Sequence, residues 1–196
     1  MEAARRQSRA LRTREQILAA AVEVMVGHGY AGLTMQRVQT QAGVTRGALT
    51  HHFASMRELA VAAVDYVAQA QGAEIQEATA GAGPAALIEV LHEVTRRPTY
   101  VAGLELWVAA RTDRELREAL RPGARELGRR LREPLQALVG DLGDERLEVF
   151  ADGLLSLLRG LAVGGVLRDR PALEKAVLGA WLAAFGAQAT TGAGSG

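Results

Sequence analysis

Cysteine is absent, which excludes disulfides, thiolate catalysis and cysteine-ligated metals. Lysine is nearly absent too: Lys175 is the only one, so almost all the cationic chemistry is guanidinium chemistry. Guanidinium suits phosphates and guanine edges, although GC-biased coding raises arginine and alanine together without any ligand. Aromatics make up only 4% of the chain, and no useful length alternates apolar and polar residues with period two, which removes β architectures. No uninterrupted apolar run reaches the ~18 residues that span a bilayer. Charged residues occupy the first positions, where a signal peptide would place its apolar segment. A cytoplasmic protein without a membrane partner is therefore expected. Neither a His-Glu-x-x-His motif nor a carboxylate–histidine cluster occurs, and His51 and His52, being adjacent, point about 100° apart on a helix. No metal site, cofactor or catalytic constellation is expected.

What is present is a chain of 196 residues, 48% of them hydrophobic. That length suits one domain, or a small one joined to a larger. The net charge of +1 hides a split. Residues 1–60 hold eight Arg and four Glu, a net of 8 − 4 = +4, so the rest carries 15 − 18 = −3. A short basic segment on a longer acidic one suggests that only the first part meets a polyanion.

Apolar residues recur at spacings of three and four, so the fold class is all-α. Residues 1–12 read as a disordered basic arm that either enters a minor groove or is simply solvated. Thr13 is placed to cap a helix to about Gly27, followed by helices 35–42, 46–52 and 56–79 behind Thr34, Thr45 and Ser55. Gly81 to Pro84 marks a break. Helices 85–97 and 99–111 follow, then a short piece from Asp113 to Leu120, then helix 122–139 opened by Pro122 and kinked at Pro134. Helices 144–167 and about 172–188 complete the chain, with a small, polar tail over 189–196.

Residues 34–53 place two short capped helices on either side of Ala42-Gly43-Val44. Gly43 permits a sharp reversal, and Val38, Ala42, Val44, Leu49 and Phe53 can pack together. That is the plan of a helix-turn-helix, whose second helix enters a major groove; an ordinary helical hairpin is the alternative. Thr45, Arg46, Gly47, Thr50 and His51 are its exposed candidates. Arg46 can donate two hydrogen bonds to a guanine edge, and Thr50 can meet a thymine methyl or a phosphate. Thr34 and Gln36 before it, and Arg57 after it, complete the candidate DNA contacts.

At these residues the chain resembles the tetracycline-repressor (TetR) family of bacterial transcriptional regulators. The likeness runs from Thr13 to about Val64 through Gly27-His28-Gly29-Tyr30, Leu33-Thr34, Ala42-Gly43-Val44-Thr45, Gly47-Ala48-Leu49, His51-His52-Phe53 and Glu58-Leu59. The resemblance implies a three-helix DNA-binding domain over 13–57 and a helical ligand-binding and dimerisation domain over 58–188. It also implies a homodimer on a palindromic operator, most often a repressor released by a small molecule. Two positions depart from the family pattern: Thr50 stands where a phosphate-contacting Tyr is usual, and Met56 where Lys is usual. That keeps an alternative open, an all-helical small-molecule binding or enzymatic protein with a degenerate DNA-binding domain.

In the second part, Glu105 sits inside the apolar run Tyr100–Ala110, where an unpaired buried carboxylate is costly. One reading makes it the polar anchor of a largely apolar effector pocket walled by Tyr100, Trp107 and His92. The other leaves it at the surface or paired with Arg111 or Arg96. Helices 144–167 and 172–188, apolar and rich in small residues, are the expected dimer interface.

Overall fold

The computed structural model describes the backbone of residues 1–79, 84–140 and 143–192, so the break expected at Gly81 to Gly83 and the last four tail residues lie outside the described residues. Every element is a helix: α1 Glu2–His28, a 3₁₀ turn Tyr30–Gly32, α2 Met35–Ala42, α3 Arg46–His52, α4 Met56–Thr79, α5 Pro84–Thr95, α6 Pro98–Ala109, α7 Arg114–Val139, α8 Asp144–Leu167 and α9 Pro171–Gly192.

Three elements differ from the sequence reading. Residues 2–12 are helical rather than a disordered arm, and Thr13 is no cap: its hydroxyl donates to the Arg9 carbonyl at 3.0 Å inside α1. Alanine, arginine, leucine and glutamine dominate this stretch, no Gly or Pro interrupts it, and Glu2 in the first turn pairs with Arg6 at 2.6 Å. In place of a short piece and a second helix, α7 runs unbroken through Pro122 and Pro134. Asp113 starts it, its Oδ1 accepting the Leu116 N–H at 2.9 Å, and an apolar stripe including Leu116, Leu131 and Leu135 is buried along it. Third, α9 continues to Gly192, into the expected tail.

Contacts divide the chain into two compact units, one of Met1–Gln71 with Pro98–Ala124, the other of Gly72–Arg97 with Arg125–Gly196. Each unit joins two separate stretches of sequence; α4 continues through residue 57 without a break, and α6 packs on α1. The core of the first unit joins Ile17, Leu18, Ala21, Val38, Leu49 and Phe53 to Leu59, Ala102 and Leu106. The second is built on Leu87, Leu91, Leu135, Phe150, Leu154 and Leu178. There Trp181 stacks on Phe150 and on Phe185, and the two Phe rings meet at a tilt, with centroids 4.8–5.7 Å apart; a methyl group at Gly153 would meet the Trp181 ring at 2.9 Å.

Although its apolar stretches are interrupted, α8 reaches a mean hydropathy of 1.5 over 18 residues. Among the described residues it is the one helix long and apolar enough to cross a membrane, although no uninterrupted apolar run in it reaches that length. Leu147, Phe150, Leu154 and Leu158 of this helix are buried in the second core, and Ala162 is buried as well.

Candidate nucleic-acid interface

The turn between α2 and α3 is built by local chemistry. Thr34 caps α2 by accepting the Arg37 N–H at 3.3 Å, and Thr45 caps α3 by accepting that of Ala48 at 3.2 Å. Between them Gly43 takes the left-handed conformation (φ 63°, ψ 30°), so that its own N–H reaches the Thr40 carbonyl and that of Val44 reaches Gln39. Gln16 of α1 closes the outside of the turn, donating to the Ala42 carbonyl at 2.6 Å. Val38, Ala42, Leu49 and Phe53 are buried beneath. A helix of seven residues is held in place by its caps and this core, not by its own hydrogen bonds.

Burying Leu49 and Phe53 turns the opposite side of α3 outward. Thr34, Gln36, Thr45, Arg46, Gly47, Thr50 and His51 are all exposed. A methyl group at Gly47 would meet nothing within 4 Å, so the backbone there is open to a close approach. The Thr50 hydroxyl donates to the carbonyls of Arg46 at 3.1 Å and Gly47 at 3.3 Å, which leaves its lone pairs and methyl group outward. His52 is half-buried, 5.5 Å ring to ring from His51. Burial first, then the neighbouring His51 and Arg14, holds it below the usual histidine pKa.

Arg57 is placed differently. Its guanidinium is clamped by Asp113, at 3.4 Å, and by Glu115, while its Nε is buried without a partner. The Leu116 N–H foremost, and Arg57 after it, hold the Asp113 carboxyl below the usual carboxylate range. A second link joins α6 to the end of α1. Gly29 adopts φ 67°, and the exposed Glu105 accepts the Tyr30 N–H at 2.6 Å. Glu105 thus pairs with neither Arg111 nor Arg96; it satisfies an orphan donor of the 3₁₀ turn.

The four candidate effector contacts are divided between the two units. Tyr100, half-buried, and the exposed Glu105 and Trp107 belong to the first unit, whereas His92 is buried in the second. His92 Nε2 lies 2.9 Å from Glu174 Oε2, which also accepts from Arg96 at 2.5 Å. His92 lines a cavity of about 370 Å³ with apolar walls from Ile88, Leu138, Leu178 and Leu182. An ion pair of 2.6 Å between Glu89 and Lys175 also lines it. The pairings of Glu174 with His92 and Arg96, and of Asp113 and Glu115 with Arg57, have no local mark in the sequence, since the partners lie more than 50 positions apart. No group of residues suited to a metal ion occurs among the described residues.

Two family profiles match the chain: the bacterial regulatory proteins of the tetR family over residues 17–63, and the C-terminal part of BetI-type transcriptional repressors over residues 80–189. The chain belongs to the TetR family. As a TetR-family protein it is a DNA-binding transcriptional regulator, of a family of regulators rather than enzymes. Its relatives include an HTH-type transcriptional regulator of Mycobacterium tuberculosis, 29% identical over 86% of this chain and 90% of that one. The HTH-type transcriptional repressor AcnR of Corynebacterium diphtheriae is 30% identical over 74% and 80%. Among solved structures, a TetR-family member of Streptomyces coelicolor superposes with a TM-score of 0.68 at 28% identity, covering 88% of this chain and 97% of that one. The multidrug binding protein EbrR in complex with ethidium does so with 0.63 at 26%, covering 85% and 95%.

Proposed function

We propose that this TetR-family regulator is a cytoplasmic repressor, without catalytic activity, that binds a palindromic operator as a homodimer and leaves it when a small molecule binds. The observation that carries the DNA reading is the outward row of α3: Thr45, Arg46, Gly47 and Thr50 on a capped helix with an open backbone at Gly47. Arg46 is assigned to a base edge; Thr34, Gln36 and His51 are assigned to the backbone, which sets register rather than sequence. The repressor AcnR among the relatives supports the direction of control. Effector binding is assigned to the second unit, where the 370 Å³ cavity offers apolar walls with few polar groups. That EbrR binds ethidium makes a largely apolar ligand the natural class to screen.

Titration against the DNA upstream of its own gene at two salt concentrations tests the reading. A steep salt slope with sequence preference is expected, and Arg46→Ala costs roughly 1–3 kcal/mol and relaxes one base pair of the site. Unchanged affinity and specificity in that variant remove the base contact.

A second reading, a helical small-molecule binder with a degenerate DNA-binding domain, is favoured by one observation. Thr50 gives its proton to the backbone, and Arg57 is held by two carboxylates, so two expected phosphate donors are engaged elsewhere. A salt-insensitive protein with no preferred duplex selects that reading.

A further inference from the structure

The first turns of α1 form a basic surface that the recognition helix does not explain. Arg5, Arg9, Arg12 and Gln16 recur at i, i+4, i+7 and i+11, which at about 100° per residue confines them to one strip roughly 60° wide. Gln16 fixes where that strip points, because its side chain donates to the Ala42 carbonyl at the turn before α3. Seven residues later the same strip holds Glu23, bonded to Gln41 of α2. The strip therefore lies along α2 and, N-terminal to Gln16, continues past the helix-turn-helix turn. At about 1.5 Å per residue, Arg5 stands on the order of 16 Å beyond Gln16 along the axis.

Along those turns the three arginines are exposed, and none of them forms an ion pair among the described residues. Glu2, the one acidic side chain there, pairs with Arg6 on a neighbouring strip. Three like charges within two turns repel each other, a cost that a polyanion would relieve. From Arg5 to Arg12 the guanidinium groups form a row about 10 Å long, which matches an array carrying one negative charge per ~1.7 Å of axis.

We infer that the first turns of α1 are a second DNA-binding element, a rigid arginine rail that holds the phosphates of duplex DNA flanking the sequence read by α3. The inference rests on the DNA reading above, and it gives the rail affinity without sequence information. It replaces a flexible arm threading a minor groove with a helix tracking the backbone.

The test uses the full chain and two duplexes: the shortest one that an in vitro selection with this protein yields, and the same duplex extended by ten random base pairs on each side. With wild-type protein the extended duplex binds more tightly and with the steeper salt slope. Substituting R5A, R9A and R12A together, which favours helix, abolishes that advantage. On the extended duplex the slope becomes shallower by about 0.9 for each lost phosphate contact, and affinity at physiological salt falls about tenfold or more. On the short duplex the triple variant and wild type are indistinguishable. Replacing the same three with Lys keeps most of the slope, since counterion release counts charges; a lysine variant as weak as the alanine one overturns the phosphate assignment. Equal slopes for wild type and the alanine variant on the extended duplex overturn the rail while leaving α3 as the reader. If wild type prefers no duplex at all, the DNA reading and the rail fall together.

Discussion

Gly29 and Gly43 both hold backbone at positive φ, yet a methyl group would meet different surroundings at each. At Gly43 it would find open space, so alanine there bears only the left-handed cost of about 1–2 kcal/mol. At Gly29 the backbone (φ 67°, ψ 175°) is in a region reserved for glycine, and the added carbon would lie 2.8 Å from Glu105 Oε2. Gly29→Ala therefore adds the loss of the Tyr30 N–H acceptor and is expected to lower the denaturant midpoint further than Gly43→Ala. Equal midpoints would mean that Glu105 stabilises nothing. Glu174 supplies a pH-dependent prediction. Burial, the largest influence, raises its pKa, but hydrogen bonds from Arg96 and His92 outweigh this and leave it below the ordinary carboxylate value. A folded pKa below the unfolded one contributes stability that is present above the unfolded value, about pH 4.3, and is lost as pH falls through the folded value. Wild type should lose stability in that acid range more steeply than Glu174→Gln, as read from thermal midpoints across pH. Parallel profiles would show that the buried triad does not couple to protons.

At the scale of elements, what was legible in the residues was whatever closes locally. Thr34 and Thr45 bond to N–H groups three positions on, and α2, α3 and α4 begin and end where their caps and the left-handed Gly43 predict. Arg57 was misleading for the opposite reason. Its carboxylate partners lie 56 and 58 positions away on the start of α7, and a surface arginine carries no mark of them. The same applies to His92 and Glu174, separated by 82 positions. Helix α7 shows tertiary packing overriding a local signal. Pro122 suggested a helix start, but the buried stripe including Leu116, Leu131 and Leu135 runs through it. A proline inside a helix forgoes the bond to the carbonyl four residues back, at a cost of up to about 3 kcal/mol relative to alanine. Pro122→Ala should therefore raise the thermal midpoint by restoring the N–H to the Glu118 carbonyl. A lower midpoint would indicate that α7 breaks there in solution.

At the scale of the molecule, the near-neutral charge combines a first 60 residues at +4 with a remainder at −3, which limits attraction for a polyanion to the end carrying α1–α3. The apolar surface is also unevenly distributed. Val149, Val163 and Leu167 are exposed along one side of α8, and Leu173 and Val177 along α9. On the α8 side, methyl groups at Gly160 and Gly164 would meet nothing within 4 Å, unlike Gly153, whose space the Trp181 ring takes. Small and branched residues that leave a helix face open without filling space inside their own unit suit a close helix–helix contact with a second copy. These exposed side chains add to the buried Leu and Phe of the opposite side in giving α8 its high hydropathy. Val163→Asp puts a carboxylate into such a contact, where an unpaired buried charge is costly, and should convert a dimer into a monomer in sedimentation equilibrium. Operator affinity should fall with it by roughly 10²–10⁴, the advantage that two linked half-sites confer. Val163→Ala keeps the face apolar and should remain dimeric, which separates loss of the interface from loss of the fold. A Val163→Asp protein that stays dimeric and keeps its operator affinity would move the interface off α8.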